Sequence, residues 1–382
     1  METAPGLLGS ITSSLMFPLA FLFVLSVVVF FHELGHFLVA RWCGVTVKAF
    51  SIGFGKEIWG FYDKHGTRWR LAWIPLGGYV KFLDDESVAS TPSADAMRDM
   101  TEEERKGAFH SKPVWQRAAV VAAGPIANFI LAIVIFTTMH SIYGVTKLEP
   151  RIGKVVAGSP AEVAGFKAGD LVVRIKGTPI DDFADLQHIV TTNADQEMEF
   201  VVERDGKPVA LLVRPHFQEH EDAISGKVRR PVIGIMSAPG AERTHRRVGP
   251  LEALGLGFER TGMIVTGTLS YLGDVIRGVQ NADQLGGPIR IAEVSGQVAK
   301  IGLQPLLHLI AVISVSVGLI NLFPIPLLDG GHLMFYAIEA IRRRPLSERT
   351  QEIGFRIGLA IVLMLMVFAT FNDLPILKKW LS

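Results

Sequence analysis

Four long apolar runs divide the chain, and the polar stretches between them carry periodicities of their own. The first, residues 15–38 (LMFPLAFLFVLSVVVFFHELGHFL), is long enough to cross a hydrocarbon core of ~30 Å as a helix rising about 1.5 Å per residue. Two more runs follow at about 114–143 and 305–328, and a fourth at about 354–371. Residues 251–279 are apolar too, but Leu251, Leu254, Phe258, Val265, Leu269 and Leu272 recur every three to four positions, and Glu252, Glu259, Arg260, Asp274 and Arg277 interrupt them. That pattern predicts a one-faced helix lying on a surface, not a fifth span. Residues 44–82 have strand chemistry instead: a run through Val45, Val47, Phe50 and Ile52, then 57–62, 67–74 and 79–82, with Gly77-Gly78 as a turn. Between the second and third runs, ahead of the amphipathic segment, lies a mostly polar stretch of roughly a hundred residues. They hold a predicted helix over 183–192 and strands near 197–204 and 208–215.

The implied fold class is a polytopic α-helical membrane protein with about four transmembrane helices, a membrane-associated β-element and one inserted α/β domain. The expected division is 1–43, first spanning helix; 44–112, β-element and loop on the cytoplasmic side, with 87–106 a polar loop; and 113–145, second span. It continues with 146–236, inserted domain; 237–304, amphipathic surface-helix region; 305–330, third span; 331–353, cytoplasmic loop; and 354–382, fourth span and tail. A hydrophobic share of 49% and a mean hydropathy of +0.34 suit a few spans around water-exposed parts. No Lys or Arg precedes Arg41, so the first run lacks the positive flank of a cleavable signal peptide and reads as starting outside. Arg342, Arg343, Arg344 and Arg349 mark the loop before the fourth run as inside, which leaves both termini outside. A net charge of +1 gives no reason to expect nucleic acid, and the single Cys43 cannot form an internal disulfide.

Ionisable groups inside an apolar span are costly and functional by default. His32-Glu33-Leu34-Gly35-His36 sets two imidazoles at i and i+4 on one helix face, a spacing that holds one Zn²⁺ with the intervening Glu beside it. A hydrolytic site needs a third ligand and an open position. Asp329, an acid at the inner end of the third run, is the expected partner, with His332 one turn further on as a rival better read as a loop histidine. Pro324 and Pro326 break the helix just before it.

HELGH in the first run and NLFPIPLLDGGH at the end of the third resemble the site-2 protease family of intramembrane zinc metalloproteases. Residues 50–55 (FSIGFG), 74–80 (IPLGGYV), 112–117 (KPVWQR), 123–129 (AGPIANF) and 286–289 (GGPI) are similar to its bacterial RseP-like branch. The resemblance implies one Zn²⁺ per chain on His32, His36 and Asp329, with Glu33 as catalytic acid and base. It also implies substrate contacts at Asn321 and in the β-element at Gly77, Gly78 and Tyr79. Residues 151–180 resemble the opening of a PDZ domain, and there is room for one such domain where relatives often carry two in tandem. The expected activity is the second cut in regulated intramembrane proteolysis of single-span proteins of the anti-sigma-factor or remnant-signal-peptide type. The expected setting is the bacterial inner membrane, with the PDZ-like domain periplasmic, binding peptide or substrate ends or excluding bulky substrates, and the active site near the cytoplasmic leaflet. Lipid and substrate are then the partners. Two other classes fit parts of the pattern: a PDZ membrane scaffold with structural zinc, and a metal or ion transporter. Glu33 has no task in the first, and a PDZ-like insertion has none in the second.

Overall fold

Each of the four apolar runs folds as a helix. A computed structural model describes residues 7–84, 100–222, 226–238, 243–282 and 285–381, and these divide into two compact units. One unit comprises the described parts of 1–136, 257–265 and 285–382; the other comprises those of 137–256 and 266–284. Four helices are long and apolar enough to cross a membrane.

In the first unit, α1 (Leu7–Trp42) carries HELGH in its last third, and α3 (Val114–Tyr143) begins at the expected residue. Half of the most apolar window of α3 is buried, against 6% for the last helix, so α3 is central and its neighbours are peripheral. Small residues permit this. A Cβ on Gly35 of α1 would lie 2.2 Å from the Ala123 carbonyl oxygen, so the two backbones touch there. On the other flank of α3, Ser314 Oγ of α8 (Leu303–Asn321) donates to the Asn128 carbonyl at 2.8 Å.

The third run departs from expectation. Its helix stops at Asn321, because Pro324 and Pro326 supply no N–H to continue it, and a separate helix α9 (Asp329–Arg342) starts at Asp329. Asp329 therefore opens a new helix instead of ending a span, and most of the expected cytoplasmic loop 331–353 is helical. The connecting turn is tight: Leu327 has φ +107°, and a Cβ on Gly330 would meet the Phe323 carbonyl oxygen at 2.2 Å. The last helix, α10 (Glu348–Leu381), extends well past the apolar run on both sides.

The β-element is one hairpin of two long strands, β1 (Val47–Tyr62) and β2 (Arg68–Phe82), turning at 63–67. Its register places Phe50 opposite both Val80 and Trp69, and Trp69 also opposite Phe61. The hairpin is thus folded on itself into four strand segments, in the lateral order 57–62, 68–72, 49–52, 78–82. The four expected runs are all present, and Gly77-Gly78 lies where β2 reverses between segments 68–72 and 78–82, with Gly77 at φ +148° and packed on the Phe54 ring. Of the expected polar loop 87–106, residues 87–99 lie outside the described residues, and the remainder begins α2 (Glu102–Gly107), capped reciprocally by Thr101 and Glu104. Buried Asp84 ties that segment down by accepting from the backbone amides of Phe109 (2.9 Å) and His110 (2.8 Å).

The second unit has its own core of Val172, Ile175, Leu186, Met198, Phe200 and Val202. They lie between α5 (Phe183–Thr192) and a four-stranded sheet of order β6-β5-β7-β8: Thr178–Pro179, Leu171–Ile175, Met198–Arg204 and Lys207–Val213. The short α4 (Pro160–Val163) starts on a Ser159 cap. Three pairings were not expected. β4 (Ile152–Val155) pairs with β11 (Ile235–Ser237), β9 (His216–Asp222) pairs with β10 (Gly226–Val232), and β3 (Val145–Leu148) pairs with β12 (Arg243–Arg246). Pairing therefore runs past residue 236; in the β4–β11 and β3–β12 pairs the partners are short and lie about eighty to a hundred residues apart, which leaves no period to read.

The amphipathic segment is helix α6 (Pro250–Ile276), with Leu251, Phe258 and Ile276 exposed. A second helix, α7 (Pro288–Ile301), follows. It starts on Asp373 of α10, whose carboxylate accepts from the amides of Gly287 (3.0 Å), Ile289 (3.0 Å) and Arg290 (3.1 Å).

Candidate metal centre

The i, i+4 spacing on α1 brings the two imidazoles together with Nε2 facing Nε2 at 3.2 Å. Asp329, the first residue of α9, enters from the other side, its Oδ2 3.2 Å from His32 Nε2 and its Oδ1 3.6 Å from His36 Nε2. One donor atom from each of the three residues lies within 4.8 Å of the others, and they are the one such cluster among the described residues. No donor reaches Asp329 Oδ2 in hydrogen-bonding geometry although the atom is buried. Two imidazole nitrogens and a carboxylate oxygen converge within 4.8 Å of one another, a donor set that a tetrahedral Zn²⁺ satisfies while keeping a fourth position open.

Glycine makes room for the cluster. A Cβ on Gly124 of α3 would lie 2.3 Å from His36 Nε2, so the imidazoles rest on bare α3 backbone. The same helix holds the outer edge of each ring. His36 Nδ1 lies 2.9 Å from the Val120 carbonyl oxygen, and His32 Nδ1 lies 3.2 Å from Asn128 Nδ2.

Glu33 points to the β-element. Its carboxylate accepts from the Val80 backbone amide, and a Cβ on Gly78 would lie 2.9 Å from Glu33 Cγ. A cavity of about 240 Å³ opens over the cluster, lined by His32, Glu33, His36 and Asp329 together with Gly78 and Tyr79. Of the expected substrate contacts, Gly78 and Tyr79 therefore border the cavity, whereas Gly77 and Asn321 do not line it. Asn321 closes α8, half-buried, before the proline turn. His332 does line the cavity, beside Phe355 at 5.4 Å between ring centroids. Val80, whose amide holds Glu33, and Gly124 and Asn128 of α3 lie within the motifs 74–80 and 123–129, but nothing in the sequence gives them a place at the site.

Membrane-length helices around an H-E-x-x-H helix, with an acid presented by a second helix, define a class of metal-dependent peptidases built within membrane helices. The model of peptidase family M50 matches residues 20–365, and the chain belongs to that family. The activity that goes with membership is peptide-bond hydrolysis. A protein of Agrobacterium fabrum that carries the provisional name zinc metalloprotease is 48% identical over 355 residues, covering 93% of this chain and 94% of that protein. Metalloprotease MmpA of Caulobacter vibrioides is 43% identical over 375 residues, covering 92% and 94%. A Rickettsia conorii protein, also provisionally named a zinc metalloprotease, is 37% identical over 361 residues, covering 93% and 98%.

Proposed function

We propose that in this zinc metallopeptidase His32, His36 and Asp329 hold one Zn²⁺ and that Glu33 is the catalytic acid and base. The observation that carries the reading is the meeting of His32, His36 and Asp329 at the floor of a cavity that Glu33 also lines. Zinc there supplies Lewis acidity towards the scissile carbonyl and the attacking water. Glu33 takes the proton from that water and passes it to the leaving amine. The Val80 amide keeps the Glu33 carboxylate turned into the cavity during both transfers.

The substrates are single-span membrane proteins cut within or beside the inner leaflet after an outer domain has been removed, such as anti-sigma factors or remnant signal peptides. A helical peptide bond is shielded by its own hydrogen bonds, so the substrate must be extended at the zinc. Segment 78–82 is an edge of the folded hairpin beside Glu33, and supports binding by strand addition along Gly78 and Tyr79, with Gly77 shaping the bend. Asn321 contacts substrate backbone further along the groove. Trp59, Tyr62 and Trp73 of the hairpin are each more than 60% exposed, which suits a β-element seated against lipid. Residues 146–236 act as a PDZ-like module that meets substrate ends or screens out bulky ones. The chain resides in the bacterial inner membrane with both termini on the periplasmic side.

The test is cleavage of a tagged, pre-trimmed single-span substrate by purified protein in detergent, with zinc measured on each variant. Glu33→Gln retains zinc near one per chain and loses cleavage, by at least about 10²-fold. Asp329→Asn loses zinc and cleavage together. Zinc loss in Glu33→Gln at unchanged folding would remove Glu33 from the role of acid and base.

A further inference from the structure

The outer ring nitrogens of both histidines are held by α3, but the two contacts differ in kind. At His36, Nδ1 faces the Val120 carbonyl oxygen at 2.9 Å, and a carbonyl can only accept. His36 Nδ1 therefore carries the proton, and its Nε2 presents a lone pair to the centre of the cluster. His32 needs the same tautomer for the same reason, since its Nε2 faces His36 Nε2 and Asp329 Oδ2, both at 3.2 Å. Its Nδ1–H then requires an acceptor. What lies opposite is the side-chain amide of Asn128, fully buried, with Nδ2 at 3.2 Å and Oδ1 buried without a partner.

In that orientation two donors confront each other while a buried carbonyl oxygen goes unpaired, and an unpaired buried polar group is destabilising. Rotating the amide by 180° exchanges its oxygen and nitrogen with almost no change in shape, and removes both faults at His32. We infer that Asn128 is a positioning residue for the metal centre: its amide oxygen accepts from His32 Nδ1–H, fixing the tautomer that frees Nε2 for the ion. The inference rests on the proposal that His32 is a zinc ligand.

The placement of Asn128 suits the role. Its backbone carbonyl accepts from Ser314 Oγ of α8 at 2.8 Å, and a Cβ on Gly318 would lie 3.2 Å from its own Cβ. Both contacts come from α8, one helical turn apart, so that helix pins the backbone and Cβ of Asn128. The second partner of each ligand comes from a single helix, which makes α3 the element that orients both imidazoles.

The experiment measures zinc affinity of the full-length protein in detergent by chelator competition, independently of proteolysis. The variants are Asn128→Asp, Asn128→Leu, Asn128→Ala and, as a reference, His32→Ala. Asn128→Leu keeps the volume and removes the acceptor; Asn128→Asp keeps the shape and offers acceptors alone. Loss of such a partner weakens metal binding by about 10–100-fold, so Asn128→Leu and Asn128→Ala fall by that factor and Asn128→Asp stays within a few-fold of wild type. Substitution by Co²⁺ gives a second readout, with the visible absorption band shifted in Asn128→Leu and restored in Asn128→Asp. Wild-type affinity in Asn128→Leu, or weaker binding in Asn128→Asp than in Asn128→Leu, overturns the inference while His32→Ala still loses zinc. Retention of zinc at full affinity by His32→Ala would instead overturn the metal reading on which it depends.

Discussion

At the level of single residues, the candidate centre depends on atoms that are present and on one that is missing. Gly124 lies where any side chain would collide with a proposed ligand: its Cβ would sit 2.3 Å from His36 Nε2 and 2.9 Å from His32 Cε1. Gly124→Ala should therefore displace the imidazoles and lower zinc affinity by tenfold or more, read by chelator competition on protein that still purifies folded. Gly255→Ala on α6 is the matching control, since nothing lies within 4 Å of its Cβ and alanine favours a helix by about 0.5–1 kcal/mol. Equal zinc affinity in both variants would mean that α3 does not press on the ligands. The histidine pair and Glu33 were legible in the sequence because their geometry is local, fixed by one turn of one helix. Asp329 was legible as an acid ending an apolar run. Gly124 and Asn128 were not, because what they touch depends on which face of α3 meets α1, and that is decided by packing between segments about ninety residues apart.

Among the elements, the interruption between α8 and α9 presents the acid to the histidines. A continuous helix through 303–342 would carry residue 329 onward along one axis; the proline turn instead starts a new helix with Asp329 at its first position. Pro326 is seated directly on α10, where a Cβ on Gly358 would fall 1.5 Å from its carbonyl oxygen. α10 also ends the search of α7 for a cap, since Asp373 takes three backbone amides at the start of that helix while fully buried. Asp373→Ala leaves those amides without the carboxylate and should cost about 1–2 kcal/mol, seen as a lower melting temperature in detergent, with Asp373→Asn recovering part of it. No change in melting temperature for Asp373→Ala would show that solvent or lipid headgroups replace the cap. Helix positions were readable from apolar run length, and the α3 and α5 boundaries coincide with the expected ones. The folding of the β1–β2 hairpin on itself was not, because four strand-like runs are compatible with several lateral orders and only the long-range register selects one.

For the molecule as a whole, the two units should answer to different chemistry. The first unit contains the His32, His36 and Asp329 cluster, the only such group among the described residues, so zinc held there as proposed would link its stability to metal. Zinc at a thousand times its dissociation constant stabilises the unit by about 4 kcal/mol, and chelation removes that amount. The described residues of the second unit hold a core that includes Ile152 and Ile233 with no such cluster, and they carry an ion pair whose carboxylate is buried and whose guanidinium is partly exposed. Asp170, 1% exposed, binds Arg204 Nε and Nη2, both at 2.7 Å, and accepts from the Lys167 amide at 2.8 Å. Burial by itself would raise the Asp170 carboxyl, but the Arg204 and Lys167 contacts outweigh it and hold the group below its ordinary range. A carboxyl lowered in the folded state contributes stability that is complete above its unfolded pKa of about 3.9 and is lost as pH falls through the folded value. Acidification should therefore destabilise the second unit below about pH 4, and Arg204→Ala, which removes the carboxylate's charged partner, should cost about 1–3 kcal/mol near neutrality and flatten that acid dependence. Hydrogen exchange on the full-length protein separates the two effects. Chelation at pH 7 should raise exchange in α1 and α9 while leaving β5, β7 and α5 protected, and Arg204→Ala should do the reverse. Loss of protection in both units under either treatment would mean that they unfold as one cooperative body.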